Sequence, residues 1–151
     1  LRDLYLQEAR VHGIDPTGPR FFTDKTPFNG PHLGLISLLF AGVDKNDPRV
    51  QSAYNWIRAN YTLDDNPGAK KKQGLFYYYN AFAKSMYAYG ENEITDSNGV
   101  KHNWRDDLAA KLLSLQQKDG SWVNTESGRW WEGNKNLVTA WSVIALNHVI
   151  R

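Results

Sequence analysis

The sequence predicts an all-α domain spanning residues 1–151, built from three outer–inner antiparallel helix pairs. Three observations carry this. Apolar residues recur at three- and four-residue steps, amphipathic segments alternate with segments apolar nearly all round, and strand signals are weak. A chain of 151 residues is one domain in length. It is long enough to bury a core without disulfides or metals.

Residues 1–12 form the first outer helix, with Leu4, Tyr5 and Ala9 apolar. A Pro/Gly loop at 15–31 leads to the first inner helix, 33–42, which reads LGLISLLFAG. The second outer helix, 47–61, carries Val50, Ala53, Tyr54, Ile57 and Tyr61 on one stripe and Gln51, Asn55, Arg58 and Asn60 opposite. Asp47 is its N-cap, with Pro48 at the first helical position. The second inner helix, 75–89, reads LFYYYNAFAKSMYAY; its opening is aromatic, but the context continues as a helix. The third outer helix, 103–117, turns Leu108, Ala109, Leu112, Leu113 and Leu115 inward, and the third inner helix, 137–150, reads LVTAWSVIALNHVI. Gly42 and Gly90 are placed to cap inner helices and start the connections to the next outer ones. A helix with no polar face is expected to be buried on all sides. The outer-to-inner connections are long, at 15–31, 62–73 and 118–136. Long loops inside a compact domain tend to carry function, which points to the last of them.

Composition excludes several classes. The net charge is +2, with acids and bases interspersed, so there is no electrostatic case for nucleic acid. The run Lys70-Lys71-Lys72 reads as a solvated turn after Asn66-Pro67-Gly68. No apolar stretch reaches the roughly 18 residues of a membrane span. With no Cys, disulfides, thiolate metal sites and Cys nucleophiles are ruled out, and no compartment is indicated. The four His are scattered without a close-spaced ligand pair. No metal and no cofactor is expected, and no phosphate loop or nucleophile elbow occurs. The chain opens at Leu1 without a Met or a charged-then-apolar leader, which predicts a fragment or a processed product.

After the third outer helix comes Gln116-Gln117-Lys118-Asp119-Gly120-Ser121-Trp122, the pattern Q-x-x-D-G-x-W. Gln116 is placed to bond free backbone groups at the helix end. Asp119-Gly120 makes the turn, and Trp122 folds back as an apolar plate. Val138-Thr139-Ala140-Trp141-Ser142-Val143-Ile144-Ala145-Leu146 then follows as an inner helix. Together these resemble the QW repeat of squalene–hopene cyclases, oxidosqualene cyclases and related prenyltransferase-like proteins. The second repeat departs from the motif, with Asn60 for Gln and Leu63-Asp64-Asp65 for D-G-x-W.

The resemblance implies an α/α toroid, of which three helix pairs make about half a ring. The rest is then a missing second half or a second copy of the chain, and an open arc would leave apolar flanks exposed. It implies a structural role for Gln116, Asp119, Gly120 and Trp122. Cyclases of this kind use an acid in a D-x-D-D motif. Here Thr62-Leu63 precede Asp64-Asp65, so Asp64 and Asp65 are weak candidates, equally readable as a turn-forming pair. The zinc site of the prenyltransferases needs a Cys that this chain lacks. His32 is a further catalytic candidate because it opens an inner helix, whose ends line the central cavity in that fold. Tyr77 and Tyr78 from the aromatic run are candidate ligand-binding residues, with interlayer packing as the alternative. So are Trp131, Glu132 and Asn136, at the polar–aromatic mouth of the longest loop, and Trp141.

Four functional readings follow. The first is a repeat domain whose aromatic, apolar cavity binds an isoprenoid or lipid. The second is a terpenoid cyclase whose acid lies on the missing half. The third is a carbohydrate-active α/α toroid, such as a polysaccharide lyase, drawing on residues 77–80, His32, Arg129 and Trp130-Trp131. The fourth is a non-catalytic, protein-binding helical array.

Overall fold

A computed structural model describes residues 29–151. The helix expected at 1–12 and most of the 15–31 loop lie outside the described residues. The described chain is mostly helical. In order it forms α1 (Gly30–Phe40), α2 (Pro48–Ala59), α3 (Leu75–Tyr89), β1 (Glu93–Thr95), β2 (Lys101–Asn103), α4 (Trp104–Leu115), a 3-10 turn (Arg129–Trp131) and α5 (Lys135–Val149).

Short polar side chains start three of these helices. Asp47 accepts from the Arg49 N–H at 2.9 Å, with Pro48 at the first helical position. The Asn103 side chain accepts from the N–H groups of Arg105 and Asp106, and Asn134 does the same for Asn136 and Leu137. Each satisfies donors that have no partner inside the helix. The C-terminus of α5 is closed from outside, where the Arg105 guanidinium donates to the carbonyls of His148 and Val149.

The centre of the molecule is α3. It packs on α5 and on α1, α2 lies against α1, and α4 against α5 and α3. Tyr78, Tyr79, Phe82, Ala83 and Met86 are fully enclosed, and they meet Ile57 from α2, Leu108 and Leu112 from α4 and Val138 from α5. Contrary to the expectation, none of the three apolar helices is buried on every side; α3 comes nearest, with Tyr87 exposed. On α1, Leu33 and Phe40 are exposed, as are Val143 and Ile144 on α5. The reason is position: α3 has neighbours on each side, while α1 and α5 end the row.

The hairpin was not expected, because the connection after Gly90 reads as a loop. β1 and β2 pair antiparallel with Ile94 opposite His102. The Asp96 side chain organises the turn by accepting from the N–H groups of Asn98 and Val100. Only Ile94 is buried in the pair, and strands of three residues are too short to show an alternating pattern.

The Q-x-x-D-G-x-W segment ties α4 to α5. The Gln116 amide donates to the Gly120 carbonyl at 2.8 Å. Asp119 accepts from Ser121 and forms an ion pair with Lys135 at 2.8 Å. The Trp122 indole N–H donates to the Leu112 carbonyl at 2.7 Å, and its backbone N–H donates to the Thr139 hydroxyl at 3.0 Å. Trp122 joins the core, while Gln116 stays exposed as an extended residue just past α4 instead of sitting in its last turn. Gly120 has φ +82°, and a Cβ there would meet nothing nearer than the Gln116 amide nitrogen at 3.9 Å. The cost of a side chain at this turn is therefore conformational and not steric. Gly120→Ala should lose about 1–2 kcal/mol in urea unfolding, and a variant as stable as the parent would remove the turn from the account.

Candidate functional site

A cavity of about 460 Å³ lies at the N-terminal end of α3. Leu33, Tyr77, Trp130 and Trp141 form its apolar walls. Asn29 and Asn66 add polar groups, and the backbone at Gly30 and Gly74 completes the lining. The three segments read as long outer-to-inner connections meet here: Asn29 comes from the first, Asn66 from the second and Trp130 from the third. Sequence reasoning singled out the third alone.

Local backbone shapes the site. Gly74 has φ +68°, and a Cβ on it would lie 3.1 Å from the Asn66 amide nitrogen and 3.6 Å from the Trp130 ring. Only glycine combines that conformation with that closeness. The Asn66 amide donates to the carbonyls of Gln73 and Gly74 at 3.1 and 3.3 Å. Trp130 and Trp131 both lie in the left-handed region, at φ +60° and +65°, which is uncommon for bulky residues. The Arg129 guanidinium stacks on the Trp130 ring at 4.9 Å.

One buried acid holds this end of the molecule together. Glu132 has no exposed surface. Its carboxylate accepts from the N–H groups of Leu75, Phe76 and Tyr77 at 2.8–2.9 Å and from the Asn124 amide at 2.6 Å. It thus caps α3 from the far side of the sequence, where Gly74 offers no side chain. Burial pushes its carboxyl above the ordinary range, against the pull of these donors.

The expected ligand-binding residues separate accordingly. Tyr77 and Trp141 line the cavity and touch edge to face, with ring centres 5.4 Å apart. Tyr78 is buried away from it, and its hydroxyl donates to the Thr62 carbonyl. Glu132 is the cap just described. Trp131 and Asn136 are exposed and take no part in the cavity wall. Leu33, Asn29 and Asn66 were not singled out, because Asn29-Gly30-Pro31 and Asn66-Pro67-Gly68 read as turns. The adjacent Lys run is more than a solvated turn. Lys72 pairs with Glu126 at 2.7 Å, and its carbonyl accepts from the Asn124 amide.

The catalytic candidates are spread apart. Asp64 is exposed and paired with Lys111 at 2.6 Å, which holds its carboxyl below the usual range. A proton donor to an alkene needs the opposite shift. Asp65 is exposed beside it. His32 is enclosed by Trp56, Tyr78 and Phe82, and its Nδ1 lies 3.0 Å from the Ser85 hydroxyl. Burial pushes its pKa down to about 3. No cluster of three metal-ligating side chains occurs among the described residues, and none of their helices is long and apolar enough to cross a membrane.

Compared with known proteins, the chain matches no family model, no curated protein and no solved structure.

Two measurements probe this region. Unfolded His32 takes up a proton near pH 6.5, whereas in the fold it stays neutral down to about 3. The stability it confers is therefore complete above pH 6.5 and drains away as pH falls toward 3, by at most roughly 5 kcal/mol. His32→Leu should flatten that slope in urea unfolding, and the Ser85 hydroxyl keeps a partner in the Phe82 carbonyl. Glu132→Ala strands three N–H groups and an amide, and should cost about 3 kcal/mol or more. Glu132→Gln should cost less, and equal losses from the two variants would argue against the cap.

Proposed function

We propose that the chain is about half of a squalene-cyclase-like helical ring and that its aromatic cavity binds a lipid or isoprenoid. The observation that carries the reading is the cavity itself, walled by Leu33, Tyr77, Trp130 and Trp141. Ligand sites are typically concave, mostly apolar and supplied with a few polar groups, within roughly 300–1,000 Å³, and this cavity falls in that range. The row α1–α3–α5, with α2 and α4 packed beside it, supports a layered arc. The exposed apolar residues on α1 and α5 are what the open flanks of an incomplete ring would present.

The role is binding and not chemistry by these residues. The ion-paired Asp64 and the enclosed, neutral His32 are both poorly suited to proton transfer. The carbohydrate-lyase reading loses support for the same reason, since His32 lies in the core while Tyr77 and Trp130 line the cavity.

A neutral lipophilic dye such as Nile red should bind saturably, with fluorescence enhancement. Trp141→Ala should weaken that binding about tenfold, the size of one aromatic contact, with the helical circular dichroism retained. Absence of saturable binding, or an unaffected Trp141→Ala variant, would sink the assignment of this cavity.

A further inference from the structure

We propose that the cavity's ligand is a long-chain carboxylate whose tail fills the cavity and whose head lies on Lys84, along the groove between α1 and α3. This rests on the cavity being a ligand site, as argued above, and adds the class of the ligand and its direction.

The groove carries the inference. A second hollow, of about 150 Å³, is lined by Leu33, Ile36 and Ser37 from α1 and by Tyr77, Asn80 and Lys84 from α3. Leu33 and Tyr77 also line the cavity, so the two hollows adjoin. The α3 residues are spaced by three and four positions and form one stripe along the helix. Lys84 lies seven residues beyond Tyr77, about 10 Å along the helix axis. One end of this path is aromatic, at Trp130 and Trp141, and the other ends in an ammonium.

Lys84 is placed unlike the other lysines. It is the only charged side chain on either helix of the groove. Lys45, Lys72, Lys101, Lys111 and Lys135 each pair with a carboxylate. Lys70, Lys71 and Lys118 do not, but they are exposed and outside any helix or strand. Lys84 is half-buried on the central helix and has no carboxylate partner among the described residues. Its Nζ lies 5.5 Å from the centre of the Phe40 ring, a contact that holds the ammonium at the end of the groove. Burial, and then the cations Lys84, Arg151 and Arg105, push the neighbouring His148 imidazole below its ordinary value. This end of the groove is therefore positive. The Arg105 guanidinium is already committed to the carbonyls of His148 and Val149, which leaves the Lys84 ammonium, with three donors, for a group that only accepts. One ammonium matches the single charge of a carboxylate, whereas a diphosphate would call for several cations.

The test is a calorimetric titration of the full chain at neutral pH, where a carboxylic acid is ionised. The three probes share one chain: dodecanoic acid, methyl dodecanoate and dodecanol. The ester keeps the chain and both oxygens and removes the charge. The acid should bind about tenfold tighter than the ester or the alcohol, the size of one charge-assisted hydrogen bond. Lys84→Met should bring the acid down to the affinity of the ester and leave the ester unchanged, and Lys84→Arg should keep the preference. Trp141→Ala should weaken acid and ester alike, because it removes a contact to the tail. If acid and ester bind equally, the head is not a carboxylate, while the cavity assignment stands. A preference that survives Lys84→Met would put the head elsewhere, such as the uncapped N-terminus of α1, and overturn its placement on Lys84. If no probe binds, the cavity assignment fails and this inference goes with it.

Discussion

The arrangement of the core turns on one carboxylate. α3 starts at a left-handed glycine that has no side chain to cap it, and it starts inside the protein, where water cannot supply the missing acceptors. Glu132 supplies them from the loop before α5. A negative group is also favoured at a helix N-terminus by the aligned peptide dipoles. The consequence reaches beyond the helix. Asn124 holds the same carboxylate and also the Lys72 carbonyl, so the loop before α3 and the loop before α5 are fixed to each other. Tyr77 and Gly74 from one side and Trp130 from the other then face a common cavity as a result of a single buried group finding its donors.

Much of the helical order can be read from the residues because helix formation is local. The stripe at Val50, Ala53 and Ile57, the Asp47-Pro48 start and the Gly90 stop each depend on neighbours within a turn or two. The cap on α3 could not be read that way. Glu132 lies 57 residues from Leu75, and nothing in its own neighbourhood marks it as a helix cap instead of a solvent-facing acid. The aromatic run shows a second limit. Tyr77, Tyr78 and Tyr79 are identical in sequence and differ by about 100° per step around the helix. Packing alone decides that the first lines the cavity while the other two enter the core and donate to the carbonyls of Thr62 and Leu63. Asn29 and Asn66 show a third. Both sit in turn-like tripeptides, so their local role hides that they line the cavity.

A cluster outside the cavity lining shows what a satisfied polar group looks like here. His102 lies between Asp96 and Asp107, at 3.3 and 3.4 Å, and stacks on Tyr61, whose hydroxyl donates to Asp107. Hairpin, α4 and the end of α2 are joined by groups that all find partners. Three buried side-chain atoms among the described residues have no partner, Asn29 Oδ1, Asn66 Oδ1 and His148 Nδ1, and the first two belong to residues that line the cavity.

Strain points to the same place. Two consecutive tryptophans in the left-handed region cost about 1–2 kcal/mol each, and such a conformation persists only where its surroundings fix it. Those surroundings are visible. The Asn134 N–H donates to the Trp131 carbonyl at 2.8 Å, and the Asn124 N–H donates to the Glu132 carbonyl at 3.0 Å. Glu132 itself is locked onto α3. The loop is thus pinned immediately after the strained pair, and the left-handed turn sends Trp130 over Gly74 while Trp131 is left 78% exposed. A relaxed backbone would be cheaper, yet the strain falls on the residue that forms a cavity wall. The buried cap that secures α3 also supplies the restraint that keeps this wall in position, so the stability of the core and the shape of the cavity depend on the same carboxylate.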